Sequence, residues 1–263
     1  MADIMKDAPE DMERFRKLPK EEMLAELVES CNAEEDEEGM KLLPCEVCHG
    51  KGKVYYAYDM AWETKPCVCT RSRYVLDYLK RVGLMDLLTN STLDRYEPYD
   101  DITKALKERV IEYTKTKNWL FLGGQSGSGK THLAMGVFGK LLKQYRVPRL
   151  MMWIQDSQRL KSLVTDEEEY DRVLRPLMIA DVLIIDDFFN LTPTAADIKL
   201  ARSIIDYRYL NRLQTIITSE CSIKQICEYD DAIGGRIAEL CTPKYCLNIK
   251  PGMEHNYRMR GIV

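Results

Sequence analysis

Gly124-Gln125-Ser126-Gly127-Ser128-Gly129-Lys130-Thr131 fits the phosphate-loop pattern G-x-x-x-x-G-K-[ST] without a departure. The apolar run before it, residues 118–123, reads as a buried strand. Residues 132–145 read as a helix with Leu133, Val137, Leu141 and Leu142 on one face. Glycines let successive backbone N–H groups converge on an anion, and the helix start adds the positive end of its dipole. Lys130 is expected to reach the β- and γ-phosphates and the Thr131 hydroxyl to ligate Mg²⁺. Strand, loop and helix together predict nucleoside-triphosphate binding.

Working outward, the strand and helix signals alternate, as a parallel sheet requires. Residues 149–154 read as a strand, 157–164 and 168–179 as helices. Val182-Leu183-Ile184-Ile185 is apolar on both faces, which predicts an interior strand. It delivers Asp186 and Asp187, an acidic pair that repels itself unless a cation sits nearby. This is a Walker-B arrangement: Asp186 is expected to hold Mg²⁺ through its water shell, and Asp187 to polarise the attacking water. Residues 195–213 read as a long helix whose Lys199, Arg202, Arg208 and Arg212 form a solvated face. Residues 215–218 and 245–249 read as two further strands. Ser219 and Glu220 stand at the tip of the first of these, where a polar residue is placed to touch a γ-phosphate or its attacking water.

Upstream, residues 71–88 read as one bridging helix and residues 92–98 as a loop. Two cysteine pairs, Cys45/Cys48 and Cys67/Cys69, are separated by eighteen residues, a spacing suited to a four-thiolate Zn²⁺ site. The second pair is C-x-C rather than C-x-x-C. Strand-like residues 51–58 suggest a hairpin that closes the site. A module this small lacks a core of its own, so the metal has a structural role. Residues 1–9 read as disordered, and a helical pattern starts at Glu10, breaks at Pro19 and resumes. It carries Met23, Leu24, Leu27 and Val28 as one stripe, and residues 34–39 form an acidic linker. The division is therefore 1–40, an acidic helical arm; 41–90, the zinc module with its bridging helix; and 91–263, the nucleotide domain.

Charge and cysteine usage narrow the setting. Residues 1–40 carry a net −9 of the chain's −4, leaving +5 for the remainder. That balance neither demands nor forbids nucleic-acid contact. Nine cysteines without a secretory signal suggest a reducing, cytoplasmic setting, and no apolar run approaches the ~20 residues of a membrane span. Cys221, Cys227, Cys241 and Cys246 have no metal spacing and read as core residues.

The order phosphate loop, "ADVLIIDDFF", "TIITSE", "AIGGRIAEL" and "NYRMR" resembles the AAA+ helicase loaders of the DnaC/DnaI type over residues 92–260. The resemblance implies an α/β P-loop NTPase of AAA+ type, with a five-stranded parallel sheet and a small zinc-binding module ahead of it. It implies a Mg²⁺-dependent ATPase that loads a replicative hexameric helicase through its N-terminal region, binds single-stranded DNA and assembles as an ATP-dependent homo-oligomer. It also places Thr218 or Ser219 at sensor 1, Arg236 as an arginine finger acting on a neighbouring subunit, and Arg258 at sensor 2. An IstB-type transposition helper shares most of this core and is the alternative. A small-molecule kinase calls for an arginine-rich lid that the sequence lacks. An adaptor that binds ATP without turnover needs neither Asp187 nor Arg236.

Overall fold

The computed structural model describes residues 20–58, 61–249, 252, 256 and 257. The expectations for residues 1–19 lie outside them. The chain divides into two compact units between Tyr78 and Leu79.

In the first unit, α1 (Lys20–Ala33) is followed by α2 (Glu37–Leu42), a hairpin of β1 (Lys53–Tyr58) and β2 (Ala61–Pro66), and the start of α3 (Thr70–Arg81). The hairpin is antiparallel, with Tyr55 opposite Thr64 and Lys53 opposite Pro66. Asn32 at the end of α1 caps its edge: the side chain donates to Tyr55 O and accepts from Tyr55 N, both at 2.9 Å. The acidic linker expected at residues 34–39 is corrected here. Asp36 caps α2 by accepting from Gly39 N at 3.0 Å, and its own N–H donates to His49 O at 2.7 Å. Gly39 is buried so closely against the cysteine loop that a Cβ would stand 2.2 Å from Gly50 O. All five acidic residues, Glu34 to Glu38, are exposed, but their backbone belongs to this unit.

The second unit begins with a correction to the single helix expected over residues 71–88. Gly83 has φ +75°, and a Schellman closure ends α3: Leu84 N donates to Leu79 O and Gly83 N to Lys80 O. A separate short helix, α4 (Met85–Asn90), follows. Within α3 the buried positions are Ser72, Leu76 and Leu79, whereas Tyr74, Tyr78 and Val82 are exposed. Of the stripe Tyr74, Val75, Tyr78, Leu79 and Val82 that the sequence suggests for one side of this helix, Leu79 alone is buried. Next comes α5 (Asp101–Tyr113), opened by a capping box of Asp100 and Thr103.

The sheet then forms from β3 (Leu120–Gly124), β4 (Pro148–Met152), β5 (Val182–Asp186), β6 (Gln214–Ser219) and β7 (Cys246–Ile249). Its order is β4-β5-β6-β3-β7, and every pairing is parallel. The intervening helices are α6 (Lys130–Lys143), α7 (Trp153–Ser162), α8 (Glu167–Ile179), α9 (Ala195–Leu210), α10 (Ile223–Tyr229) and α11 (Asp231–Tyr245). Residues of β5 are buried along the whole strand, as a strand covered on both faces demands. Each such Ile or Leu contributes about 1.5–3 kcal/mol of burial. Helix α6 packs across β3, β4, β5 and β6 and buries Leu133, Val137, Leu141 and Leu142 as expected.

Two boundaries moved for local reasons. Trp153 and Ile154 begin α7 rather than end β4, because the Asp156 carboxylate accepts Met152 N at 2.8 Å and Trp153 packs edge-on to Phe188. Helix α9 stops at Leu210, and Arg212 turns out with φ +50°. Arg208 is not on a solvated face. Its guanidinium is fully buried and donates to Leu177 O, Met178 O, Ala180 O, Gln214 O and Thr215 Oγ1. Burial draws its pKa down to about 10, and these acceptors keep it charged at neutral pH. Of the remaining cysteines, Cys221 and Cys241 are buried and Cys227 and Cys246 half-buried.

Candidate functional site

The carboxyl ends of β3, β5 and β6 meet the start of α6, the position where open parallel sheets bind ligands. The loop between β3 and α6 bends on Gly124, Gly127 and Gly129, with φ of +139°, +77° and +85°. Side chains are strained in that region, so the loop backbone depends on glycine. Lys130 is buried, and its ammonium donates to Gly124 O at 2.7 Å and Gln125 O at 2.8 Å. Ser128 Oγ donates to Gln125 O at 2.8 Å. The lysine is thus folded back onto the loop, above a ring of amides suited to phosphate oxygens.

Across from it, Thr131 Oγ1 lies 3.0 and 3.1 Å from the two carboxylate oxygens of Asp186. Thr218 Oγ1 donates to Asp186 Oδ1 at 2.6 Å and accepts from Asp187 N at 2.9 Å. One hydroxyl on β6 therefore orients both acidic residues of β5. Burial raises the Asp186 pKa; the Thr218 and Thr131 hydroxyls and Lys130 oppose this, and Asp187 adds to it. A divalent cation between Thr131 and Asp186 relieves that cost, and a hydroxyl beside a carboxylate is a hard-oxygen donor set that suits Mg²⁺.

The turn after β5 is held in an unusual backbone. Asp187 and Phe189 have φ of +57° and +51°. Phe188 and Phe189 stack at 4.0 Å, with Trp153 edge-on to both. Burying three large rings offsets the left-handed conformation at Phe189. Phe188 N donates to Thr218 O at 2.8 Å, which fastens the turn to β6.

Ser219 does not enter the site. Its hydroxyl is fully buried, donates to Phe188 O at 2.6 Å and accepts from Cys221 N at 3.0 Å. Of the two residues that the resemblance offers for sensor 1, only Thr218 touches the acidic pair, which corrects the choice of Ser219 as a catalytic residue. Glu220 and Asn190 line the cavity instead. Arg236 on α11 donates to Asp206 Oδ1 at 2.7 Å and lies over the Tyr209 ring at 5.5 Å, and it does not line its own chain's cavity. Arg258 lies outside the described residues.

The cavity measures about 610 Å³ and runs from Asp186, Asp187 and Lys130 to Leu87, Ser91, Arg95, Tyr96 and Tyr257. That size and elongation suit a nucleotide. Its far end was not found from the sequence. Tyr96 is buried, and its ring meets His132 at 5.5 Å and Tyr257 at 5.6 Å. His132 Nε2 lies 2.8 Å from Thr92 O and donates to it, which fixes the Nε2–H tautomer. The segment after β7 is laced to the phosphate loop. Gln125 and Gly252 exchange two hydrogen bonds, at 2.6 and 3.0 Å, and Tyr257 N donates to Gly127 O at 2.9 Å.

A profile of the family described as IstB-like ATP binding protein matches residues 84–234, more than half of the chain. The chain belongs to that family. ATP is accordingly the triphosphate its phosphate loop takes, and the IstB-like region covers β3 to β6 with the acidic pair. The chain is 33% identical over 171 residues to the phage-like element PBSX protein XkdC of Bacillus subtilis (strain 168), covering 62% of this chain and 64% of that protein. It is 26% identical over 156 residues to the replicative helicase loader DnaC of Buchnera aphidicola subsp. Acyrthosiphon pisum, covering 56% of this chain and 62% of that one. The chain thus spans under two thirds of both relatives. A crystal structure of the DnaC helicase loader superposes with a TM-score of 0.54 at 22% identity, covering 63% of this chain and 98% of that one. It shares the α/β fold with its five-stranded parallel sheet.

The first unit holds a second candidate site. Sulfurs of Cys45, Cys48, Cys67 and Cys69 all lie within 4.8 Å of one another, and all four residues are buried. Cys45 Sγ–Cys67 Sγ and Cys48 Sγ–Cys69 Sγ are 3.7 and 3.5 Å. A zinc ion with sulfurs at about 2.3 Å has tetrahedral edges of about 3.8 Å, so the donor set fits Zn²⁺. Burial pushes the Cys69 thiol up to about 12, against a lowering by Arg73; a bound cation reverses that and holds thiolates. Among the described residues, no helix is long and apolar enough to cross a membrane.

Proposed function

We propose that this chain is a Mg²⁺-dependent ATPase that loads a replicative hexameric helicase onto single-stranded DNA in the cytoplasm, working as an ATP-dependent homo-oligomer. The observation that carries the ATPase reading is the hydroxyl relay Thr131–Asp186–Thr218, which joins the phosphate loop to the acidic strand tip. Phosphates seat on residues 124–131, with Lys130 turning from the loop carbonyls toward the β- and γ-oxygens. Thr131 and Asp186 would hold Mg²⁺, which would neutralise charge on the phosphate oxygens. Asp187, oriented through its backbone by Thr218, polarises the attacking water.

Arg236 completes the site of the next subunit by leaving Asp206, and Arg258 serves as a further sensor. The arm at 1–40 and the zinc module at 41–90 dock the helicase, and residues 91–263 supply the motor. Similarity to a protein named as a replicative helicase loader favours this client. The family match equally suits an IstB-type transposition helper, the second reading.

The test uses the full chain with ATP, single-stranded DNA and a hexameric helicase from the same host, with Lys130→Ala as the non-binding control. Expected is ATP-dependent transfer of the helicase onto circular single strands. Tight helicase binding absent, with ATP-dependent capture of a transposase instead, selects the second reading. ATPase activity unaffected by Lys130→Ala rejects both.

A further inference from the structure

Arg73 spends all three guanidinium nitrogens on the cysteine site and on the acidic helix beside it. Nε donates to Cys69 Sγ at 3.2 Å, Nη1 to Gly39 O at 3.1 Å and Nη2 to Leu43 O at 2.7 Å. Gly39 O already accepts Leu43 N at 2.9 Å, so Arg73 is its second donor, and Leu43 O belongs to the residue that caps the C-terminal end of α2.

Four thiolates around Zn²⁺ carry a net charge of about −2 in a buried setting. An N–H donor on a coordinating sulfur draws charge from it and fixes its direction, as outer-shell partners of metal ligands do. Gly52 N performs that service for Cys48 Sγ at 3.2 Å without adding charge. Arg73 adds the positive charge as well, and its fork couples it to a second structure.

We propose that Arg73 is the positioning residue of this metal site, and that through it metal occupancy holds the acidic segment, residues 36–43, in place. The proposal rests on the reading of the four cysteines as a zinc site. With metal bound, Cys69 is a thiolate and its N–H···S contact to Arg73 is charge-assisted. That contact aims the remaining two nitrogens at Gly39 O and Leu43 O. Without metal no ligand bond fixes Cys69 Sγ, so Arg73 loses its anchored partner and its fork holds Gly39 O and Leu43 O less firmly, leaving α2 to the Asp36, Met40 and Gly39 contacts. The acidic run is thereby presented or released according to the metal.

The test compares the full wild-type chain with Arg73→Lys and Arg73→Met, each loaded with zinc or with Co²⁺. Zinc release to a chromogenic chelator, the sulfur-to-Co²⁺ charge-transfer band, and hydrogen exchange of amides 36–43 are read together. ATP affinity serves as the control for the second unit. Arg73→Met is expected to weaken zinc retention by about 10–100-fold, shift the band and deprotect residues 36–43, with ATP affinity unchanged. Arg73→Lys should restore zinc retention in part, because it keeps the charge, yet leave residues 36–43 deprotected, because it lacks the fork.

Wild-type zinc retention, band and exchange in both variants overturn the proposal while leaving the zinc site standing. A wild-type chain that folds without zinc and takes up no Co²⁺ removes the metal site and the proposal together. Should Arg73→Met fail to fold in the first unit, Arg73→Lys decides alone: an unchanged exchange pattern overturns the coupling.

Discussion

Thr131 and Asp186, fifty-five positions apart in the chain, face each other across the mouth of the phosphate loop at 3.0 Å. The contact marks where the proposed Mg²⁺ would be held, a role that would account for a buried carboxylate at an internal strand end. Burial raises the Asp186 pKa. Ionised Asp186 therefore costs the ligand-free fold stability, fully so at pH values above its folded pKa, and the cost fades as pH falls through that value. Asp186→Asn should raise the melting temperature without nucleotide, by about 1 kcal/mol of stability, the usual gain on relieving a functional-site compromise. The same variant should lose Mg²⁺-dependent ATP turnover. Calorimetry with and without Mg²⁺-ATP checks both, and a lowered melting temperature contradicts the burial argument.

Thr218→Val removes the hydroxyl that joins Asp186 to the Asp187 amide. A buried N–H left without an acceptor costs about 1–3 kcal/mol. Turnover should fall by about 10²-fold, the scale on which a misplaced catalytic group acts, while Thr218→Ser retains most of it. Steady-state kinetics beside denaturant unfolding separates the two effects. Ser219→Ala, which touches only Phe188 O and Cys221 N, is the comparison: it should cost stability without a selective loss of turnover.

Arg236 is tied to Asp206 at 2.7 Å and lies over Tyr209. A finger must leave such a resting place to act in trans. Arg236→Ala should bind ATP normally and lose about 10³-fold or more in turnover of the assembly. Asp206→Asn should free the arginine and raise turnover at low protein concentration. Equal turnover of Arg236→Ala and wild type, measured where the wild type is assembled, rules out the role.

A fourth expectation concerns acid. Asp230 is held below the usual carboxylate range by Arg202, which outweighs its partial burial, with help from the Ile233 amide at the start of α11. Its contribution is complete above the unfolded Asp value of about 3.9 and is lost as pH falls through the lower folded value. The melting-temperature gap between wild type and Asp230→Asn should therefore close as pH drops below about 4. A gap that stays constant with pH shows that Asp230 acts as a neutral cap only.

How far the sequence revealed all this depends on range. The phosphate loop, the apolar strand ending in Asp186 and the four-cysteine spacing are local patterns, and each is visible in a few residues. Strand β5 could be read because burial on both faces leaves an unbroken apolar run. What escaped were contacts made over distance. Tyr96 and Tyr257 meet across 161 positions as ordinary aromatic residues without a pattern. Arg208 looked like one more surface cation, because nothing in its helix says that five acceptors wait for it. The acidic run hid its helix, since like charges read as solvent-facing, although Asp36 and Gly39 already carry a capping signal. Ser219 and Thr218 are neighbours of similar chemistry; only the alternation of a strand separates the one that meets Asp186 from the one that does not.

The reciprocal pairing of Gln125 with Gly252 has a mechanical outcome. Only two positions separate Gly252 from Ile249, the last residue of the sheet's edge strand. Tension applied along the polypeptide beyond that strand arrives first at the turn that grips the triphosphate, ahead of the ladder bonds joining β7 to β3. A pull applied there is thus felt at the phosphate loop before it is felt by the sheet.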